Sequence, residues 1–546
     1  MRKLKNKLII LILIILAIIP VLSLFHSGLP IGHDTQDHVA RIANFYKNLQ
    51  EGILVPRWAG NLNWGYGHPI LEFLYPMPSY TASFFHFLGF SFVDSTKIVL
   101  GLSIFLSGIF MYLWLSLFLV SEAALIGAVW YMYAPYRFVD LYVRGAIGES
   151  AAFIFMPLLL YFLYKLSKKN NINYVILGGI SLALLILSHN AISLMFLPFI
   201  LFYIFYLYRP DAKRQFFLYS SFILFLGFAL SAFFWIPALI EGKYTLRYIV
   251  TKDVYLNSFV DLIRFIQSSW SFGGNGLLSM EVGFLGIVSL ILAPILSILL
   301  YKKNNRFWIL IISLFIYALI GFFLMTSVSS FIWSRVSLLQ NFQFTWRFLT
   351  IIVFATAVLS AIIFSLIKNR KKRIILIAIT IIYILFMSRA HMIPKGYLEK
   401  PESFYSGIYN STTDTGESSP IWSVRFMEKR PNAPLEVIDG DASIKTLVRK
   451  STYHEYEVNV NKKTLFAENT LYFPGWEIQA NNKPLEIQYQ NMQYRGIMLF
   501  YLDPGEYNIK VQYRETKLRA FADAISIVAM LNILGFYFFR FVKRKV

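Results

Sequence analysis

Residues 8 to 25 read LIILILIILAIIPVLSLF, and apolar runs of this kind recur along the whole chain. A helix that crosses a bilayer must satisfy its backbone polar groups within itself over roughly 30 Å of hydrocarbon, which takes about 20 apolar residues. About twelve runs meet or approach that length, near 8-25, 97-119, 122-135, 150-166, 174-189, 191-208, 216-238, 282-301, 307-325, 348-367, 374-389 and 519-540. A chain that is 57% hydrophobic and 15% charged is no ordinary soluble domain. The expectation is a mostly α, polytopic protein of the cell membrane.

The formal net charge is +21, and its placement decides its meaning. Lys and Arg cluster between apolar runs at 2-7, 165-169, 209-214, 302-306, 368-373 and 540-545. If the N-terminus starts inside and the spans alternate, all of these clusters fall on the cytoplasmic face, as the positive-inside rule requires. They orient helices and meet anionic lipid headgroups, so the charge does not call for a nucleic-acid partner. Both termini are expected in the cytoplasm, and the first run reads as an uncleaved signal anchor. The chain has no cysteine, which rules out disulfides, thiolate nucleophiles and Cys-ligated zinc.

The same alternation puts the longer connections outside: 26-96, 136-149, 239-281, 326-347 and 390-518. From about Leu447 apolar and polar residues alternate, as in YHEYEVNV and YNIKVQYR, with turn signals at Asn481-Asn482 and Asp503-Pro504-Gly505. The expected organisation is a transmembrane domain over 1-389 with a large first outer loop, 26-96, then an extracytoplasmic β-rich domain over 390-518. That domain is expected to be an antiparallel β-sandwich, followed by a final helix and basic tail over 519-546.

Chemistry-bearing residues concentrate in the outer segments. In GHDTQDHVARI (32-42), Asp34, Asp37 or His38, and Arg41 are three and four apart, so a helix presents them on one face. Asp34 with Asp37 can cap that helix; alternatively a carboxylate deprotonates an acceptor hydroxyl while the imidazole or cation tunes it. A divalent cation, Mg or Mn, would find its ligands among Asp34, Asp37 and His38. The stretch 56-80 either lies among headgroups or lines one wall of a sugar pocket through Arg57, Trp58, Trp64 and Tyr66. Flat aromatic faces stack on pyranose rings, and Glu72 is a candidate second carboxylate.

Arg137, Asp140, Arg144 and Glu149 pair with one another or present a guanidinium to phosphate. Lys243, Arg247 and Arg347 are further phosphate candidates. His189 and Asn190 form either an Asn-capped hairpin turn or part of the substrate pocket. Ionisable residues are almost absent from the middles of the runs, which disfavours an ion-coupled transporter. No P-loop, HExxH, GxSxG or EF-hand pattern occurs.

Taken in order, GHDTQDH, PRW, GYGHP with FLYPMPSY, YRFVDLYVRGAIGE, LSHN, WIPALIEGKYT, QFTWRF and the late YFPGWEIQ to YNIKVQYR segment resemble the membrane proteins called 6-pyruvoyl-tetrahydropterin synthase-related. They also resemble the YfhO-like family. The pterin name is a misnomer here, since no zinc site of the soluble synthase is visible. Both families are similar to the GT-C glycosyltransferases. That resemblance implies a multi-span bundle whose first outer loop carries an acid, here Asp34 with Asp37 as the adjacent acidic position. It also implies a polyprenyl-phosphate-linked sugar donor and a glycan or envelope-polymer acceptor. On this reading Arg144, Arg247 or Arg347, with Lys243, would hold the donor phosphate. The competing expectation is a lipid-linked glycan flippase or an envelope-assembly scaffold.

Overall fold

A computed structural model describes residues 2–208, 213–274 and 277–543; the basic clusters at 209-214 and 540-545 lie partly outside that range. All twelve apolar runs are helical. Among the described residues, eight helices are long and apolar enough to cross a membrane, or nine if Arg214–Leu230 and Ala232–Tyr244 form one span bent by 68°. The expected count of twelve therefore includes three weaker helices. Ser121–Tyr133 has 13 residues, about 20 Å at 1.5 Å each, and Ile172–Ser188 has 17. Arg370–Ser388 carries four basic residues in its first turn.

The 68° bend sits at Ser231, whose hydroxyl donates to the Gly227 carbonyl at 2.8 Å. A hydroxyl competing for the helical ladder is a familiar cause of kinks. The bend swings Trp235 and Leu239 beside Asn190–Leu207, where they wall a groove. Without an aqueous hydrophobic effect between helices, packing depends on close approach. Helices Ile172–Ser188 and Lys213–Leu230 achieve it by seating Ile223 and Leu226 over Gly178 and Gly179, and Leu182 over Gly227; a Cβ at any of the three would lie within 3 Å of the facing side chain.

At one end of the bundle stands the β domain. Its strands Leu435–Arg449, Tyr453–Leu471, Trp476–Ala480, Lys483–Leu485, Ile497–Leu502 and Gly505–Tyr513 form one antiparallel sheet. The expected antiparallel β domain is built from this one hydrogen-bonded sheet. The 19-residue strand Tyr453–Leu471 pairs with Gly505–Tyr513 along its first part and Ile497–Leu502 along its second, so one strand serves both sides of the core. The alternation has its expected consequence: His454, Tyr456, Val458 and Val460 point inward and their neighbours outward. Asn481 and Asn482 both have positive φ, at the tight turn between two paired strands.

Two segments far apart in sequence clamp this domain to the bundle. The first outer loop inserts Trp58, Tyr66 and Phe73 into the β-domain core, and Leu29–Pro30 pairs with Tyr397–Leu398. The final helix, Lys517–Val542, packs at the periphery. Near its start Arg519 is fully buried, 2.5 Å from Glu241 and 3.1 Å from Glu72. Arg57 joins the same seam through Glu515 at 3.0 Å and Asp523 at 2.7 Å. Removing one member of such a buried pair strands the other. Arg519→Gln should therefore cost about 3–5 kcal/mol, read as a clear drop in melting temperature in detergent. Arg514→Gln, which loses an exposed pair with Glu477 and an exposed hydrogen bond to Gln512, should change stability by under about 1 kcal/mol.

Candidate functional site

The helix Thr35–Gln50 begins where the first span meets the β-domain end. Its start is set by backbone contacts with the 139–145 turn: His33 N–H donates to Val143 O and Asp34 N–H to Arg144 O, both at 2.9 Å. Gly145, with φ +67°, permits this approach, because a Cβ there would lie 2.2 Å from Thr35. Asp34 occupies the N-cap position, yet its carboxylate makes no capping bond. It projects into a cavity of about 360 Å³, which argues against the capping reading.

The cavity gathers Asp34, Asp37, His38 and Arg41 from this helix, Arg144 from the turn, and His189 and Asn190 from the junction of two helices. Arg247 and Arg347 complete it from the opposite side. Asp37 accepts from the Tyr409 hydroxyl at 3.1 Å. Burial raises its pKa, with Arg41 and Tyr409 working the other way. His38 is buried; burial, then Arg41 and Arg144, hold its pKa well below the ordinary 6.5, so it is neutral at pH 7. His189, rather than Asn190, caps the helix Asn190–Leu207, its ring stacked on Tyr75.

The arginines differ in what already balances them. Arg144 lies between two buried carboxylates, 2.5 Å from Asp140 and 2.7 Å from Glu149, with its guanidinium over Trp346. Arg247 and Arg347 have no ion-pair partner among the described residues, and the Nε of each is buried without a hydrogen-bond partner. Their guanidinium groups rest against Phe73 and Phe344, and Arg347 also donates to Phe342 O at 2.7 Å. Arg41 donates to Thr413 O at 2.8 Å while its Nε is likewise unpartnered.

Several expected pocket residues lie elsewhere. Trp58 and Tyr66 are core residues of the β domain, and Trp64 packs against that core, because a large flat ring is also the cheapest way to fill a seam. Arg137 turns into the bundle over Phe153, while Asp140 and Glu149 stand behind Arg144 rather than in the cavity. Lys243 is exposed, its ammonium over Tyr244. Arg57 and Glu72 belong to the seam with Arg519; burial pushes the Glu72 carboxyl well above its usual range.

The cavity also has a wall that the sequence did not announce: Thr413, Asp414, Thr415 and Glu417, with Asn341 and Gln343. Burial acts to raise the Asp414 pKa, but His68 and hydrogen bonds from Ser418 and Gly416 more than reverse it, leaving a carboxylate. Glu417 accepts from Gln343 at 3.1 Å and from Thr415. A Ser- and Thr-rich loop enclosing acids, STTDTGESS (411-419), was the available signal.

Among the described residues, no three His, Asp or Glu side chains gather closely enough to hold a metal ion. Of the expected set, Asp37 has one oxygen engaged by Tyr409 and His38 is enclosed between two cations. Among the described residues, Asp34, Asp37 and His38 do not form a three-ligand cluster.

A raised Asp37 pKa means that the folded protein binds this proton more tightly than the unfolded chain does. The charged side chain therefore lowers stability as the pH rises from the ordinary 3.8 through the raised value. Asp37→Asn should melt at or above the parent at pH 7, by about 1–3 °C, with the gap closing as the pH is lowered towards 4. A variant that melts far lower at pH 7 would contradict this.

Comparison with known proteins gives three results. A protein of Lactococcus lactis subsp. cremoris (strain MG1363), described as uncharacterized, is 26% identical over 326 residues, 56% of this chain and 51% of that one. The chain thus spans about half the length of that relative. Among solved structures, the arabinofuranosyltransferase AftD from Mycobacteria aligns over 72% of this chain and 28% of its own, at 16% identity and a TM-score of 0.46. The Archaeoglobus fulgidus oligosaccharyltransferase aligns over 76% and 61%, at 14% identity and a TM-score of 0.44. The family model described as 6-pyruvoyl-tetrahydropterin synthase related domain, membrane protein, matches residues 71–393, more than half of the chain. The chain belongs to that family of membrane proteins.

Proposed function

We propose that the protein is a membrane glycosyltransferase that moves a sugar from a polyprenyl-phosphate donor to a glycan, lipid or envelope-polymer acceptor. The reaction takes place at the β-domain end of the bundle, outside the cell, with both termini in the cytoplasm. One observation carries this reading. The polar cavity shares Asn190, Ala191, Arg247 and Asn341 with an apolar groove of about 330 Å³. Leu182, Ile186, Leu194, Leu197, Phe228 and Trp235 wall the groove. A ligand seated across both must join a hydrocarbon chain to a charged head. The cation at the junction, Arg247, has no ion-pair partner among the described residues.

In the step proposed, the Asp34 carboxylate takes the proton of an acceptor hydroxyl. That oxygen bonds to the anomeric carbon as the bond from the carbon to the phosphate oxygen breaks. The electron pair leaves with polyprenyl phosphate, and attack opposite the leaving group inverts the anomeric centre. Negative charge grows on the departing phosphate, where Arg247 and Arg347 are stronger partners in the transition state than in the ground state. Arg144, already balanced by two carboxylates, positions Asp34 through its backbone. His38, being neutral, adds no competing charge. The helix that carries Arg347 continues into the bundle through Phe348 and Phe354, both buried. This filled interior favours transfer over a flippase or scaffold role.

In liposomes supplied with a polyprenyl-phosphate sugar, Asp34→Asn should lower kcat by about 10²–10⁴-fold, while Asp37→Asn keeps most of it; wild-type turnover by Asp34→Asn would refute the base assignment. Arg247→Gln and Arg347→Gln should each lower kcat/KM for the donor about tenfold or more without lowering the melting temperature. Arg144→Gln should instead destabilise by about 3–5 kcal/mol. Unchanged donor dependence in both of the first two variants would remove the phosphate contact.

A further inference from the structure

A second cavity, of about 190 Å³, lies at the end of the bundle away from the β domain. Asn190–Leu207 runs from one cavity to the other. Its 18 residues rise about 27 Å, close to the roughly 30 Å of a hydrocarbon core. The two cavities therefore sit at opposite surfaces of one bilayer.

The polar lining of the second cavity is rich in donors. Lys168 and Arg306 supply cations, Tyr164 and Tyr203 supply phenols, and among the described lining residues there is no Asp or Glu. Arg306 is fixed at the rim by donating to Tyr206 O at 3.1 Å, and its guanidinium stands over the Tyr206 ring. Lys168 is likewise held over Tyr164. Tyr203, almost fully buried, accepts from the Trp114 indole at 2.9 Å, which leaves its own proton to donate. Asn305 has its carbonyl oxygen engaged by Phe307 N–H, so its amide hydrogens remain. Phe118, Leu207 and Leu310 close the side facing the bilayer core.

Two cations, a buried phenol and an apolar floor at a membrane surface describe a receptor for a lipid phosphate. We propose that this cavity binds the phosphate headgroup of an anionic phospholipid in the leaflet opposite the catalytic cavity, with Lys168 and Arg306 on the phosphate and Tyr203 donating from beneath. Aromatic rings under both cations hold them in place and limit the side-chain order lost on binding. The site is independent of the glycosyltransferase reading.

The test uses the purified full chain in a neutral detergent, with native mass spectrometry counting lipid retained after incubation with phosphatidylglycerol or phosphatidylcholine. The expected result is one retained phosphatidylglycerol per chain, with at least about tenfold preference over phosphatidylcholine. Lys168→Gln combined with Arg306→Gln, both exposed positions, should abolish the preference, and Tyr203→Phe, which removes only a hydroxyl, should weaken it several-fold. Lys302→Gln with Lys303→Gln, at the same end but outside the lining, should leave it intact. Equal retention of both lipids overturns the site. So does an unchanged preference in the Lys168 and Arg306 variant, or an equal loss in the Lys302 and Lys303 variant. Full displacement of the lipid by millimolar inorganic phosphate would make the cavity a free-anion site and overturn its assignment to lipid.

Discussion

Arg144 held between Asp140 and Glu149 is the interaction on which the arrangement around the cavity depends. Glu149 also accepts from Tyr136 at 2.7 Å and from Thr350 at 2.6 Å, so one carboxylate ties together the 135–144 turn and the helices Ile147–Lys168 and Leu349–Ser365. The same turn holds His33 and Asp34 by their backbone amides. Three oppositely charged groups so close together in a largely apolar bundle can persist only as a set, since each alone would be an unpaired buried charge. Asp34 is thereby placed by backbone geometry and not by its own side-chain contacts.

Charge balance then sorts cations that look equivalent in sequence. Arg144 has two partners and is part of the framework, whereas Arg247 and Arg347 have aromatic rings beside them and, among the described residues, no carboxylate partner. A guanidinium in that condition is under-satisfied in the free protein and gains from an incoming anion. Beside the groove, Arg247 stands where a polar cavity adjoins an apolar one, so two surfaces with different physics meet at one cation.

Much of this was legible in the residues. The helices declare themselves because a bilayer permits so few alternatives, and the strand period of two survives in YHEYEVNV because one face is buried. Asp34 was legible from its position just beyond a span. The aromatics were not: Trp58 and Tyr66 have the same composition whether they stack on a sugar or fill a seam, and only tertiary context separates the two. Nor could spacing tell Arg144 from Arg347, because the deciding partners depend on how helices distant in sequence meet. The 413–417 wall was hidden for a similar reason: a polar loop is chemically unremarkable until the chain folds it back against Thr35–Gln50.

That fold-back has a bearing on biosynthesis. One side of the polar cavity comes from residues 33–41 and another from residues 413–417, some three-quarters of the way along the chain. While the ribosome is still adding the middle helices, Asp34 and Arg41 have already emerged but face no opposing wall. The cavity is completed only when the late loop arrives, so a nascent or prematurely terminated chain presents the acid without its enclosure.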